Sequence, residues 1–265
     1  MIKYPHIDPV AIALGPLKVH WYGLMYLIGF WAGWYLSLRR GRRDFTPFNS
    51  QALSDLLFFI VLGVILGGRI GYTFFYNLPA FLDNPLVIFR IWEGGMSFHG
   101  GLIGVIVALA WYARSRKLSF AYVADFICPV VPVGLLTGRI GNFINAELWG
   151  APTNLPWAMV FPTDPQRLPR HPSMLYEAFF EGFVLLCVLL WFSRKPRPPL
   201  AVSGLFLVLY GCFRWAVEFV RTPDVQYGYL AFGWLTMGQV LCVPMLAAGA
   251  LMLGLAYGRP PRMPA

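Results

Sequence analysis

Charge is what this sequence has least of. Asp, Glu, Lys and Arg make up 12% of the 265 residues, about half the share found in an ordinary soluble domain. The scarcity is uneven, with 12 acidic residues against 21 basic ones and a formal net charge of +9. Cysteine is sparse as well. Cys128, Cys187, Cys212 and Cys242 all fall in apolar stretches without CxxC or metal-like spacing, so they read as small hydrophobes rather than as a disulfide framework or a thiol centre. The four histidines never pair, and HExxH, GxSxG and Walker-type loops are missing. A metal site, a serine nucleophile and a nucleotide cradle are therefore without support, and no cofactor is expected.

What the chain has in abundance is apolar sequence, 58% of residues with a mean hydropathy of +0.60. A bilayer core about 30 Å thick takes about 20 helical residues to cross. Seven apolar runs approach that length: 21–38, 53–75, 96–112, 120–140, 173–192, 202–220 and 232–257. The expectation is an all-α polytopic membrane protein with about seven transmembrane helices in a single domain over 1–265. Pro129 and Pro132 lie inside the fourth run, where neighbouring helices can satisfy the freed backbone groups. Twelve of the 21 basic residues form four clusters: Arg39, Arg40, Arg42 and Arg43; Arg114, Arg116 and Lys117; Arg194, Lys195 and Arg197; Arg259 and Arg262. They follow runs one, three, five and seven, so the positive-inside rule makes that face cytoplasmic and leaves the N-terminus periplasmic and the C-terminus cytoplasmic. The clusters then answer to anionic headgroups and topology rather than to nucleic acid. Before the first run stand about 20 residues with Pro5, Asp8 and Pro16, and no small-residue cleavage site follows it, so it is expected to stay as an anchor.

The longest stretch between runs, 143–172, carries six prolines and faces the periplasm on this topology, which predicts a small folded cap. Embedded polar residues gather on the same side. Tyr22 opens the first run, Arg69 ends the second, and His99 opens the third, followed by Gly100 and Gly101; Arg139, Asn142, Asn145 and Glu147 end the fourth. Glu177 and Glu181 begin the fifth, and Tyr210, Arg214 and Glu218 share one helical face of the sixth at i, i+4 and i+8. Arg214 and Glu218 at that spacing form an intrahelical ion pair on the simplest reading, which a role in binding does not exclude. Arginine at membrane depth costs about 2.5–3.5 kcal/mol or more. Three of them near one leaflet call for an anion, and a phosphodiester fits because guanidinium gives it two parallel charge-assisted hydrogen bonds. Neutral imidazole at His99 is a plausible base, and its glycines permit close approach. The tetrapeptide Gly-Arg-Ile-Gly occurs at both 68–71 and 138–141, a match too short to establish a repeat.

These residues carry a resemblance. Segment 138–150, Gly-Arg-Ile-Gly-Asn-Phe-Ile-Asn-Ala-Glu-Leu-Trp-Gly, resembles the defining segment of the prolipoprotein diacylglyceryl transferase family of the bacterial inner membrane. Around it stand His20-Trp-Tyr-Gly23, Gly67-Gly-Arg-Ile-Gly-Tyr72, Gly94-Gly-Met-Ser-Phe-His-Gly-Gly101, Arg170-His-Pro-Ser173, Tyr210-Gly-Cys-Phe-Arg214 through Glu218, and Met237-Gly-Gln239. The one departure is a compact stretch between Phe161 and Arg170, where some relatives carry an insertion. The resemblance implies transfer of the diacylglyceryl group of phosphatidylglycerol to the lipobox cysteine of a prolipoprotein signal peptide, forming a thioether and releasing glycerol phosphate. It implies His99, Arg139 and Arg214 as catalytic residues: His99 as base for the thiol, Arg139 on the lipid phosphate, and Arg214 on the leaving group. Tyr22, Arg69, Arg139, Asn142, Asn145, Glu147, Gly150, Tyr210 and Glu218 are the expected substrate-binding set. A transporter or channel fits less well, since the cytoplasmic halves of the runs are nearly bare of charge, Asp125 excepted. A non-catalytic signal-peptide receptor is the remaining alternative.

Overall fold

The structure, a computed structural model, describes residues 2–258 except 16, 43–45, 47, 91, 93 and 224–227. Arg43, Arg259 and Arg262 of the basic clusters lie outside the described residues.

Every one of the seven apolar runs is helical. In chain order the helices are α1 (Trp21–Gly41), α2 (Ser50–Tyr76), the short α3 (Leu78–Asp83), α4 (Phe98–Ser115), α5 (Phe120–Ile127), α6 (Val131–Ile144), α7 (Ser173–Glu177), α8 (Leu185–Phe192), α9 (Ala201–Glu218) and α10 (Met237–Tyr257). Pro129 and Pro132 do not stop the fourth run; they tighten it into a 3-10 turn, Cys128–Val130, between α5 and α6. A π-helical segment, Ala178–Val184, joins α7 to α8. Among the described residues, five stretches are long and apolar enough to cross a membrane: Ser50–Tyr76, Phe120–Ile144, Ser173–Phe192, Ala201–Glu218 and Met237–Tyr257. The chain is thus a predominantly helical, polytopic membrane protein. α1 and α4 reproduce the first and third runs but fall outside these five; α1 carries Arg39 and Arg40 in its last turn, and α4 carries Arg114.

Three two-stranded hairpins were not legible in the apolar pattern because each is so short: β1 (Val10–Leu14) with β2 (Leu17–His20), β3 (Met159–Val160) with β4 (Pro169–Arg170), and β5 (Tyr229–Ala231) with β6 (Leu235–Thr236). In the segment 143–172, the expected cap, Ala146, Met159 and Phe161 pack with Tyr4 and Met174 from outside it in one buried cluster. The Tyr4 hydroxyl donates to the carbonyls of Phe143 and Ile144, satisfying orphan acceptors at the end of α6.

Contacts divide the chain into two compact units, residues 37–124 and residues 1–36 with 125–265. In the first, α2 and α4 meet along glycines. A Cβ on Gly104 would lie 2.1 Å from the Gly63 carbonyl oxygen, and one on Gly67 would lie 2.4 Å from that of Gly100. Such small-xxx-small stripes let backbones approach where lipid supplies no hydrophobic drive for helix association. Gly100, one of the two glycines after His99, is therefore occupied by helix packing. In the second unit α9 packs on α10, and α6 packs on α7 and the π-helical segment. Asp125, the main charged exception in the cytoplasmic halves of the runs on the sequence reading, accepts from the Leu200 and Ser203 backbone N–H groups at 2.7 and 2.8 Å and from Ser203 Oγ at 2.6 Å. It caps α9 from a neighbouring helix.

Candidate active site

Glu177, the last residue of α7, is the hub of the second unit. Its carboxylate is fully buried and meets three arginines. Arg139 Nη2 of α6 lies 2.5 Å from Oε2, Arg214 Nη1 of α9 lies 3.5 Å from the same oxygen, and Arg221 Nη1 donates to Oε1 at 3.1 Å. Glu218 is the second carboxylate, 2.8 Å from Arg214 Nη2 and 3.5 Å from Arg221 Nε. The intrahelical pair expected from the sequence is present, and it is part of a larger network.

Close packing sets this geometry. Gly182 of the π-helical segment backs onto Leu136 of α6, where a Cβ would sit 2.7 Å from the Leu136 Cβ; that approach brings Arg139 against Glu177 of the facing helix. Gly238 leaves room for the Glu218 carboxylate, 2.6 Å from where its Cβ would be. Next to it, Thr236 caps α10 in a capping box with Gln239 and donates its hydroxyl to Glu218 Oε1 at 2.9 Å. Those contacts explain the Met237-Gly-Gln239 motif.

Arg139 also donates to Asn142 Oδ1 at 3.4 Å, while Asn142 and Asn145 both donate to Glu147 Oε1, at 2.8 and 3.3 Å. The Tyr22 ring rests on Gly141, 3.0 Å from where a Cβ would be. Tyr210 stacks flat on Phe206 with centroids 5.8 Å apart, in electrostatic reach of Glu181, Arg214, Arg139 and Glu177. Glu181 is fully buried too, yet neither of its oxygens has a hydrogen-bond partner among the described residues.

Gly150 organises backbone. It forms an antiparallel bridge with Arg221, its N–H donates to the His171 carbonyl at 2.8 Å, and the Ala151 N–H donates to the Val220 carbonyl at 2.9 Å. A Cβ there would fall 2.3 Å from the Val220 oxygen, so only glycine lets the cap lie against the chain leaving α9 and hold Arg221 over Glu177. The cap is locked by Arg170, which is buried, stacked 3.9 Å from the Trp149 ring centroid and forked onto Asp164 at 2.6 and 3.1 Å. Those hydrogen bonds hold the Asp164 carboxyl below the usual carboxylate range. Burial pushes the His171 imidazole pKa down, and its Nδ1 lies 3.2 Å from the Tyr176 hydroxyl.

The unit of residues 37–124 carries Arg69 and His99. The Arg69 guanidinium donates to the carbonyls of Val87, Ile88, Gly94 and Gly95 and so shapes the segment leading to α4. Gly94 and Gly95, both at φ +79°, make that segment's turn. Ser97 caps α4 and ties it to α2 through its N–H and the Gly68 carbonyl, 2.9 Å apart. His99 follows on the first turn, exposed, its ring edge-on to Phe98. In neither copy of Gly-Arg-Ile-Gly is the arginine free, but one organises carbonyls and the other meets a carboxylate.

Of the residues expected from the sequence, Tyr22, Arg139, Asn142, Asn145, Glu147, Gly150, Tyr210, Arg214 and Glu218 lie in the second unit, and Arg69 and His99 in the first. Sequence reasoning gave Glu177 no role and passed over Arg221, although Arg214, Glu218 and Arg221 continue one face at i+4 and i+3.

The buried site of this polytopic membrane protein thus sets three guanidiniums against two directly paired carboxylates. The comparison with known proteins goes further. The family model for prolipoprotein diacylglyceryl transferase matches residues 9–255, and the chain belongs to that family. It is 62% identical to the phosphatidylglycerol–prolipoprotein diacylglyceryl transferase of Methylococcus capsulatus over 260 residues, covering 98% of this chain and 99% of the relative. The enzymes of the same name from Azotobacter vinelandii and Ectopseudomonas mendocina are 60% and 59% identical, with coverage of 99% of both chains and 98% of both chains.

Proposed function

We propose that this protein transfers the diacylglyceryl group of phosphatidylglycerol to the lipobox cysteine of prolipoprotein signal peptides, in the first step of bacterial lipoprotein maturation. The observation that carries the reading is the convergence of Arg139, Arg214 and Arg221 on Glu177, with the Arg139 side chain still 20% exposed while the carboxylate is fully buried. A phosphodiester entering there meets guanidiniums already desolvated and aimed, where electrostatic stabilisation of developing charge is strongest.

In the reaction, the cysteine sulfur attacks the primary carbon of the diacylglyceryl group. The S–C bond forms as the C–O bond to phosphate breaks, and glycerol phosphate leaves with the bonding electrons. A free thiol has a pKa near 8.5, so a base is required, and His99 takes the thiol proton. Arg139 holds the lipid phosphate and Arg214 stabilises the departing one. Asn142, Asn145 and Glu147 orient Arg139, while Tyr22, Tyr210 and Glu218 shape and bind the headgroup. Arg69 and Gly150 act by positioning, the first through the segment before His99 and the second through Arg221.

The reading places all seven helical runs across the bacterial inner membrane as one functional domain, N-terminus periplasmic, C-terminus cytoplasmic, with the cap and the active site on the periplasmic side. The substrates reach it from the lipid phase. Purified protein incubated with phosphatidylglycerol and a lipobox peptide is expected to add the diacylglyceryl mass to the cysteine. A peptide bound but unmodified would identify a receptor instead.

A further inference from the structure

The second basic cluster, Arg114, Arg116 and Lys117, divides in the structure. Arg116 is paired with Asp55 and lies over the Tyr112 ring. Arg114 and Lys117 are exposed and have no side-chain partner among the described residues. Both line an open surface hollow at the end of α4, whose remaining wall is Ala110, Ala113, Leu118 and Phe120. No acidic residue contributes to it.

The backbone at this point is unusual. α4 ends in a Schellman turn, with the Leu118 N–H donating to the Ala113 carbonyl at 2.8 Å. Its left-handed position, φ +56°, is filled by Lys117 rather than by the glycine that the turn favours. The helix dipole accounts for cations near a C-terminus. It does not account for a strained lysine where glycine would relieve the strain, nor for an apolar wall beside two unpaired cations.

We propose that this hollow binds an anionic phospholipid of the cytoplasmic leaflet, its phosphate between Arg114 and Lys117 and its apolar part along Ala110, Ala113 and Phe120. Charge complementarity selects the occupant: two uncompensated cations, a wholly apolar remainder, and a location at the membrane-surface end of a helix. The hollow does not take part in the proposed transfer reaction, and both its place at the membrane surface and its leaflet rest on the reading given above.

Native mass spectrometry of the purified protein titrated with dioleoyl phosphatidylserine, with dioleoyl phosphatidylcholine in parallel, tests the site. The wild type is expected to retain one phosphatidylserine more than it retains phosphatidylcholine. Arg114→Gln with Lys117→Gln should weaken that binding at least tenfold, whereas Arg116→Gln should leave it unchanged. Lys117→Gly separates binding from folding, since it removes the charge and relieves the left-handed backbone. It should bind phosphatidylserine more weakly with a thermal midpoint equal to or above that of the wild type. Equal retention of the two lipids, equal loss in Arg116→Gln, or undiminished binding by Lys117→Gly would each overturn the site.

Discussion

At the scale of single residues the two buried glutamates of the fifth run separate sharply. Glu177 accepts three guanidiniums, whereas Glu181, one turn on, accepts no hydrogen bond. Removing one partner of a buried ionic network costs about 3–5 kcal/mol because the others stay buried and unpaired. Glu177→Gln should therefore lower the thermal midpoint in detergent markedly, while Glu181→Gln should leave it unchanged or raise it; equal destabilisation would contradict the assignment of Glu177 as the hub. His99 is exposed and outside any such network, so His99→Gln should fold normally and lose about 100-fold or more in rate. A near-normal rate would end its role as base. In the cap, the Asp164 carboxyl is held below its ordinary value, near 3.9, chiefly by its hydrogen bonds to Arg170. The fork therefore stabilises the cap fully above that ordinary value, and its contribution disappears as pH falls through the depressed one. Limited proteolysis of residues 143–172 across that window should find the cap opening at acid pH in the wild type, and already open at neutral pH in Asp164→Asn.

At the scale of elements, the long helices were readable in advance because each must bury its own backbone in lipid, which leaves an unbroken apolar run in the sequence. The hairpins obey no such constraint. Strands of two to five residues, such as Met159–Val160 or Val10–Leu14, owe their existence to tertiary contacts rather than to alternation. The role of Gly100 was legible only as a permission for close approach, and α2 proves to be what approaches. Gly104→Ala must push α2 and α4 apart, an overpacking cost of about 1–3 kcal/mol, whereas Gly101→Ala meets nothing nearer than 3.6 Å. Thermal melts of the two variants should differ accordingly, and equal midpoints would refute the glycine seam.

At the scale of the whole molecule, the chain's small stock of charge is concentrated where it is used. Arg139, Arg214 and Glu218 could be named from sequence because embedded charge is rare enough to stand out. The network that joins them could not, since Glu177 stands 38 positions from Arg139 in the numbering and is brought to it by helix packing. Arg221 escaped notice for a related reason: it lies just beyond α9, held by a bridge to Gly150 that no local pattern announces. Family membership names the transfer, and the proposed reading has these contacts accommodate the phosphate of the lipid. The most direct test is the mass of a lipobox peptide after incubation with phosphatidylglycerol and either the wild type or Arg139→Lys. The account predicts the diacylglyceryl adduct on the cysteine with the wild type, and at least a 100-fold lower rate with lysine, which keeps the charge but loses the guanidinium fork. No adduct with the wild type, or a lysine variant within a few-fold of it, would contradict the account.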